Sequence, residues 1–128
     1  MTGNDLKIIS NNPLVKTKYP LITELLDISI LEILMRTRDY IHLGAKLLNH
    51  PQSGGLLTGE NPYKSLVLED LCKDTAMTTD FFSVNLIEKA IEQIVDPPTD
   101  FINYDKKTLY DFQVIDLDML ETCAKKFE

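Results

Sequence analysis

Polar residues that could bind a small ligand are concentrated between residues 49 and 65, in the segment NHPQSGGLLTGENPYKS. Lys64 could hold an anionic group. The Ser53-Gly54-Gly55 run lets the backbone approach a ligand closely, because glycine has no Cβ. The segment is long for a connection without secondary structure, and such loops in compact domains are often functional. Its candidate ligand-binding residues are His50, Gln52, Ser53, Gly54, Tyr63, Lys64 and Ser65.

Two of these residues also have ordinary structural interpretations. His50 could interact with the C-terminal end of a preceding helix, where a cation is favoured by the helix dipole. Lys64 could be an edge charge that discourages strand pairing. Serine catalysis is not favoured, because Ser53 needs an oriented base and the G-x-S-x-G turn of serine hydrolases is absent. The loop therefore predicts binding more strongly than nucleophilic chemistry.

A second candidate site is the turn Ser10-Asn11-Asn12-Pro13, between a predicted strand and a predicted helix. Ligands of open α/β sheets gather at the carboxyl ends of strands, and a helix N-terminus favours an anion. Asn11 and Asn12 are the candidate ligand-binding residues here. The alternative is that Asn12 only caps the helix and Asn11 only turns the chain.

The elements that would position these residues alternate between strand and helix. Strands are predicted over 6–10, 21–28 and 64–70, with a short helix from Pro13 to Pro20. Apolar residues at three- and four-residue steps predict amphipathic helices over 30–48 and 80–95, the first opened by a Ser29-x-x-Glu32 capping box. The tail permits two readings, and we favour a strand over 109–116 followed by a helix capped by Asp116, over one helix from Lys106 onward.

This order predicts an α/β fold, a single layered domain over residues 1–128 with a small, mostly parallel sheet flanked by helices. Whether the two candidate sites meet depends first on the direction of the third strand. If it is parallel to the first strand, the loop returns to the opposite end of the sheet from Asn11. The two sites meet only if the third strand is antiparallel, if the loop folds a long way over, or if a dimer brings them together.

Composition excludes several classes of function. A formal net charge of −7 argues against nucleic acid and anionic membranes, which attract basic surfaces. The two cysteines and two histidines lack metal-ligand spacing, so we expect no metal site and no cofactor, with the cysteines as free thiols. The sequence shows no membrane span or signal-peptide pattern, so we expect a cytoplasmic protein.

Three segments together resemble the GrdX family, small proteins encoded with the glycine, sarcosine and betaine reductase systems of amino-acid-fermenting anaerobes. They are IISNNPLVK (8–16), RDYIHLGAKLLNHPQSG (38–54) and NPYKS (61–65). The matching positions are Ser10, Asn11, Asn12, Pro13, Val15, Lys16, Arg38, Asp39, Ile41, His42, Gly44, Leu47, Leu48, His50, Pro51, Ser53, Gly54, Pro62, Tyr63, Lys64 and Ser65. Within the second segment, helical spacing predicts a secondary polar cluster of Arg38, Asp39 and His42, with a solvated helix face as the alternative.

The resemblance implies an accessory role beside a selenium- and thiol-dependent reductase, and it supplies no catalytic residue or cofactor. We therefore expect a non-enzymatic accessory or binding protein whose partners are components of a reductase complex. The alternative is a small enzyme or a phosphate or other anion binder that uses the 50–65 loop. A small anionic ligand and a homodimer are further expected partners.

Overall fold

The structure is a computed structural model that describes residues 6–51, 61–69, 79–94 and 104–124. The described residues form four strands and four helices. In chain order these are β1 (Leu6–Ser10), α1 (Pro13–Lys18), β2 (Thr23–Leu25), α2 (Ile30–His42), β3 (Lys46–Leu47), β4 (Ser65–Glu69), α3 (Phe81–Gln93) and α4 (Lys106–Ala124).

The four strands form one sheet in the order β2-β1-β4-β3. β1 is parallel to β2, whereas β4 is antiparallel to both β1 and β3. The α/β class is therefore confirmed, but the sheet is mixed and its parallel part is limited to one pair. In the register of β1 and β4, Ser10 lies opposite Ser65 at one end of the sheet.

Alternating side chains of the two central strands build a core on each face of the sheet. Ile9, Leu66 and Leu68 are buried in the cluster that α2 and α3 cover. Ile8 and Val67 point the other way and pack with residues of α1 and α4. The result is a layered arrangement in which Ser10 and Ser65, two residues along from Ile8 and Val67, belong to the α1 and α4 face.

Local signals explain where the first two helices begin. The side chain of Asn12 accepts a hydrogen bond from Leu14 N, and Pro13 occupies the first turn of α1. The Ser29 hydroxyl accepts from Glu32 N at the start of α2, so the predicted cap is confirmed. β2 is shorter than the predicted strand over 21–28, with three residues.

The prediction of a helix over 30–48 was wrong at its C-terminal end. α2 stops at His42, and Gly44 adopts a φ of 112°, which lies outside the helical region. The chain then turns back and pairs Leu47 with Leu68 of β4. Leu47 continues the apolar pattern of the helix because it covers the same core from a strand, whereas Leu48 packs on the opposite face of the sheet.

The preferred interpretation of the tail was also wrong, because α4 is one helix from Lys106 to Ala124. Its first turn is capped by Asp105, whose Oδ1 accepts from Thr108 N at 2.8 Å. Asp116 is therefore not an N-cap. It lies in the middle of the helix, one turn before the buried Leu120 and on the same face. None of the described helices is both long enough and apolar enough to cross a membrane.

Candidate functional site

The antiparallel direction of β4 brings the two predicted sites to the same end of the sheet. Asn11 and Asn12 follow the carboxyl end of β1, and Lys64 precedes the amino end of β4 directly beside it. The backbone N–H of Lys64 donates to Asn11 Oδ1 at 2.8 Å, and Asn11 N donates to Lys64 O at 3.4 Å. The predicted turn and the end of the predicted loop thus lie side by side.

The Asn11 carboxamide fixes this end of the site by bonding the backbone. Its Nδ2 donates to Ile28 O at 3.0 Å and to Pro62 O at 2.9 Å. Both amide hydrogens are thereby used, and Oδ1 is used by Lys64 N. Asn11 therefore positions Lys64 through the backbone on either side of it.

Asp116 of α4 lies next to this end of the sheet and accepts hydrogen bonds from two side chains. Ser65 Oγ donates to Asp116 Oδ2 at 2.7 Å, and Asn12 Nδ2 donates to the same oxygen at 3.0 Å. Asn12 Nδ2 also donates to Gln113 O at 2.9 Å. The side chain that caps α1 therefore also ties α1 to α4.

The serine hydroxyls form a chain whose direction follows from the number of hydrogens available. Ser65 gives its one hydroxyl hydrogen to Asp116, so in the 2.7 Å contact between Ser10 Oγ and Ser65 Oγ the donor is Ser10. Ser10 Oγ in turn accepts from Asn12 N at 2.9 Å. Every donor in this chain of hydrogen bonds points toward the Asp116 carboxylate, an arrangement that favours the ionised form of Asp116.

A second group of contacts holds residues 61–65 against α4. Asn61 Nδ2 donates to Phe112 O at 3.1 Å, while Asn61 Oδ1 accepts from Tyr63 N at 2.9 Å. Gln113 Nε2 donates to Tyr63 Oη at 2.8 Å. Together with the bond from Ser65 to Asp116, these contacts place the segment before β4 along two turns of the helix.

Lys64 and Asp116 line a common cleft of about 500 Å³. Lys64 is 5% exposed and Asp116 is 9% exposed, so both charged groups are largely removed from water. The other lining residues include both polar and apolar side chains. They are Leu48, Asn49, His50, Ser65, Met119, Leu120, Thr122 and Cys123.

Burial shifts the pKa values of both groups toward their neutral forms. Desolvation lowers the pKa of Lys64 to about 8, although the negative charge of Asp116 acts in the opposite direction. Desolvation raises the pKa of Asp116, and the hydrogen bonds from Asn12 and Ser65 and the charge of Lys64 oppose that rise. The cleft thus pairs an amine that can lose its proton with a carboxyl that can gain one.

The structure places five of the predicted site residues in this network, namely Asn11, Asn12, Tyr63, Lys64 and Ser65. His50 lines the cleft and is exposed. Gln52, Ser53 and Gly54 lie outside the described residues. The two structural alternatives were wrong. His50 does not follow a helix, because α2 ends eight residues before it. Lys64 is not a charge on an edge strand, because it is buried next to the central strand β4.

Arg38 of the predicted secondary cluster contacts a neighbouring helix, and among the described residues no side-chain hydrogen bond or ion pair joins it to Asp39 or His42 of its own helix. Arg38 Nη1 contacts Glu88 Oε1 of α3 at 3.3 Å, so this arginine joins two helices. Asp39 and His42 are exposed on α2. The described residues that line the cleft include none of the three.

Sequence reasoning missed Asp116 as a site residue, along with Asn49 and Gln113. Asn49 completes the sheet edge, since its Oδ1 accepts from Val67 N at 2.8 Å and its Nδ2 donates to Ser65 O at 3.1 Å. One signal for Asp116 was present in the sequence. It precedes Leu120 by four residues, which places a carboxylate on the apolar stripe of one helix.

Comparison with known proteins gives one finding. No curated protein and no solved structure shows a significant match to the chain. Among the residues that the structure describes, no group of three or more His, Cys, Asp or Glu is placed to hold a metal ion. A family model described as GrdX-like protein matches residues 7–125, nearly the whole sequence, and the chain therefore belongs to the GrdX-like protein family.

Proposed function

We propose that this protein is a cytoplasmic accessory protein of a glycine, sarcosine or betaine reductase system, and that it binds a small polar ligand in the cleft of Lys64 and Asp116. Membership of the GrdX-like family supports the association with such a system. The observation that carries the binding site is the burial of a lysine and an aspartate along one cleft.

Burying these groups is unfavourable for folding, which supports a functional reason for them. A buried ion pair is often no more stabilising than apolar residues of the same volume, because both charges lose their hydration. Strongly perturbed ionisable groups that line a cleft are typical of functional sites. Structural ion pairs of this chain, such as Arg36 with Glu24, lie instead at partly exposed positions.

The lining chemistry favours a ligand with one anionic group. Lys64 offers a positive charge, whereas the Asp116 carboxylate would repel a second negative charge nearby. Leu48 and Leu120 offer an apolar wall for a short carbon chain. A monocarboxylate or an amino acid therefore fits the cleft better than a phosphate dianion, which was the alternative ligand.

Thermal unfolding with a panel of ligands tests the binding site. We expect acetate, glycine, sarcosine or betaine to raise Tm, and inorganic phosphate and acetyl phosphate to have a smaller effect. A ligand present at 100 times its Kd stabilises the folded state by about 2.7 kcal/mol, which is several degrees in Tm. The stabilisation should be lost in Lys64→Met and kept in Lys46→Met, since Lys46 is exposed and lies outside the cleft lining.

Two results would count against this site. One is a ligand-induced shift that is equal in Lys64→Met and Lys46→Met, and the other is the absence of a shift with every compound of the panel. A larger response to phosphate than to the monocarboxylates would favour the anion-binding alternative instead.

The accessory role needs a separate experiment with the reductase partners. We expect the tagged protein to retain reductase components from an extract of cells grown on glycine, at physiological salt. Light scattering on the purified protein tests the predicted homodimer in the same preparation. Failure to retain any reductase component would contradict the accessory role and leave the ligand site to be judged by its own test.

A further inference from the structure

We infer that the amine of Lys64 forms a covalent imine with a small aldehyde or 2-oxo acid that enters the cleft. This inference rests on the proposed ligand site, and it goes beyond it by assigning a reaction to that site. The geometry that carries it is a buried lysine that lines the cleft together with a buried carboxyl and a serine hydroxyl, those of Asp116 and Ser65.

The reacting group must be the neutral amine, because an ammonium has no lone pair to attack a carbonyl carbon. The pKa of Lys64 is lowered to about 8 by burial. At pH 7 about a tenth of such an amine is neutral, compared with about one part in 3,000 for a lysine of ordinary pKa. Lys64 should therefore react a few hundredfold faster than an exposed lysine of equal nucleophilicity.

The surroundings also hold the backbone of Lys64 in place. Asn11 fixes it on both sides, because Asn11 Oδ1 accepts from Lys64 N and Asn11 N donates to Lys64 O. Ser65 is fixed by Ser10 and by Asp116. A lysine with a fixed backbone and a buried side chain loses less freedom when it reacts than an exposed lysine does, which favours reaction at this position.

The reaction needs only the amine and the carbonyl compound, and it releases one water. The lone pair of Lys64 Nζ adds to the carbonyl carbon and the electrons of the C=O π bond move to oxygen; the oxygen takes up a proton and the nitrogen loses one, which gives a neutral carbinolamine. The nitrogen lone pair then forms a second bond to carbon as the hydroxyl takes up a proton and leaves as water, and loss of the remaining N–H proton gives the imine. Overall, an amine and a carbonyl give an imine and water, with no oxidant or reductant.

Asp116 can carry the protons of this sequence. It lines the same cleft, and desolvation raises its pKa, so its protonated form is more accessible than that of an exposed aspartate. The carboxylate takes a proton released on addition and returns one to the departing hydroxyl. The Ser65 hydroxyl, which donates to Asp116 Oδ2, holds the carboxyl in place.

Reductive trapping tests the inference on the intact protein. Acetaldehyde or glyoxylate is added with cyanoborohydride, which reduces an imine to a stable secondary amine, and the modified lysine is identified by peptide mass spectrometry. We expect an N-ethyl or N-carboxymethyl group on Lys64 at pH 7, at least about tenfold above the level on the exposed Lys46, Lys89 and Lys106. Comparison of the two probes shows whether a carboxylate on the ligand helps.

The dependence of trapping on pH gives a second readout that a merely structural lysine would not supply. The midpoint for Lys64 should lie near pH 8 in the native protein. It should move to lower pH in Asp116→Asn, because that variant loses the negative charge that raises the Lys64 pKa. Circular dichroism confirms that the variant is folded, and Lys64→Arg should abolish the dominant adduct.

Equal labelling of Lys64 and the exposed lysines would overturn the inference, as would a midpoint at the ordinary lysine value of 10.5. If thermal shifts by monocarboxylates persist and depend on Lys64 while no adduct forms there, the imine is refuted and the ligand site stands. If both fail, the proposed binding function fails with it.

Discussion

The carboxamide of Asn11 joins three segments of the chain through hydrogen bonds to the backbone. It bonds Ile28 O before α2, and Pro62 O and Lys64 N before β4. Asn11 itself is 6% exposed, so these bonds are made away from water. A residue of this kind contributes to the site by holding the backbone that carries Lys64, whether or not it touches a ligand.

Asn11→Ala should lower the free energy of unfolding by about 3 kcal/mol, because buried backbone groups left without a partner cost about 1–3 kcal/mol each. Urea denaturation measures this change. Asn85→Ala on the exposed surface of α3 is the control and should change stability by no more than about 0.5 kcal/mol. A loss below about 1 kcal/mol in Asn11→Ala would show that water replaces the carboxamide.

Residue types alone were sufficient to nominate Asn11 and Lys64 but not Asp116. An asparagine turn after a buried strand and a lysine before another are local signals of a sheet edge that can bind ligands. Asp116 lies in a stretch where an aspartate is equally compatible with a helix start. Its role depends on contacts with Asn12 and Ser65, which are more than 50 residues away and cannot be read from local sequence.

At the scale of the elements, Gly44 determines where α2 ends and β3 begins. Its φ of 112° is accessible to glycine and unfavourable for residues with a Cβ. After it, Ala45 N donates to Tyr40 O and the chain enters β3. The apolar periodicity continues across this point, which is why the pattern predicted a helix up to residue 48 and only the glycine marks the boundary.

Gly44→Ala should lower the free energy of unfolding by about 1–2 kcal/mol, because a Cβ disfavours this backbone conformation. Gly44 is also buried, so the added methyl must fit among packed neighbours. Thermal denaturation gives the change, with Leu43→Ala as the matched control at the adjacent, half-exposed position with a negative φ. Equal stability of Gly44→Ala and the native protein would mean that the glycine does not determine the turn.

At the scale of the molecule, the site exists because β4 runs antiparallel to β1. The alternation of strands and helices predicted the α/β class, but it could not fix the direction of β4, since the connection after α2 is long enough for either direction. The short β3 within that connection pairs with the far side of β4. This pairing makes β4 a central strand, so the charge of Lys64 lies at an interior position.

The buried charge of Lys64 should make the stability of the whole protein depend on pH. Its pKa is lowered from 10.5 in the unfolded chain to about 8 in the folded protein, so between these values the unfolded chain holds more protons at this site. Stability contributed by Lys64 therefore rises with pH through this window. The difference of 10.5 − 8 = 2.5 pH units corresponds to about 3 kcal/mol at about 1.4 kcal/mol per unit.

Asp116 acts at lower pH with the opposite slope. Its raised pKa means that the folded protein holds more protons at this site than the unfolded chain does. The contribution of Asp116 to stability therefore falls as pH rises above 3.8.

Urea denaturation of the native protein and Lys64→Met at a series of pH values from 7 to 10.5 isolates the lysine together with its coupling to Asp116, because the other titrating groups cancel in the difference. The native protein should gain about 3 kcal/mol relative to Lys64→Met across this range. Lys46→Met should follow the native curve in parallel, since Lys46 is exposed in both states. Parallel curves for the native protein and Lys64→Met would mean that the Lys64 ammonium keeps its hydration in the folded state, and that the cleft does not hold a reactive amine.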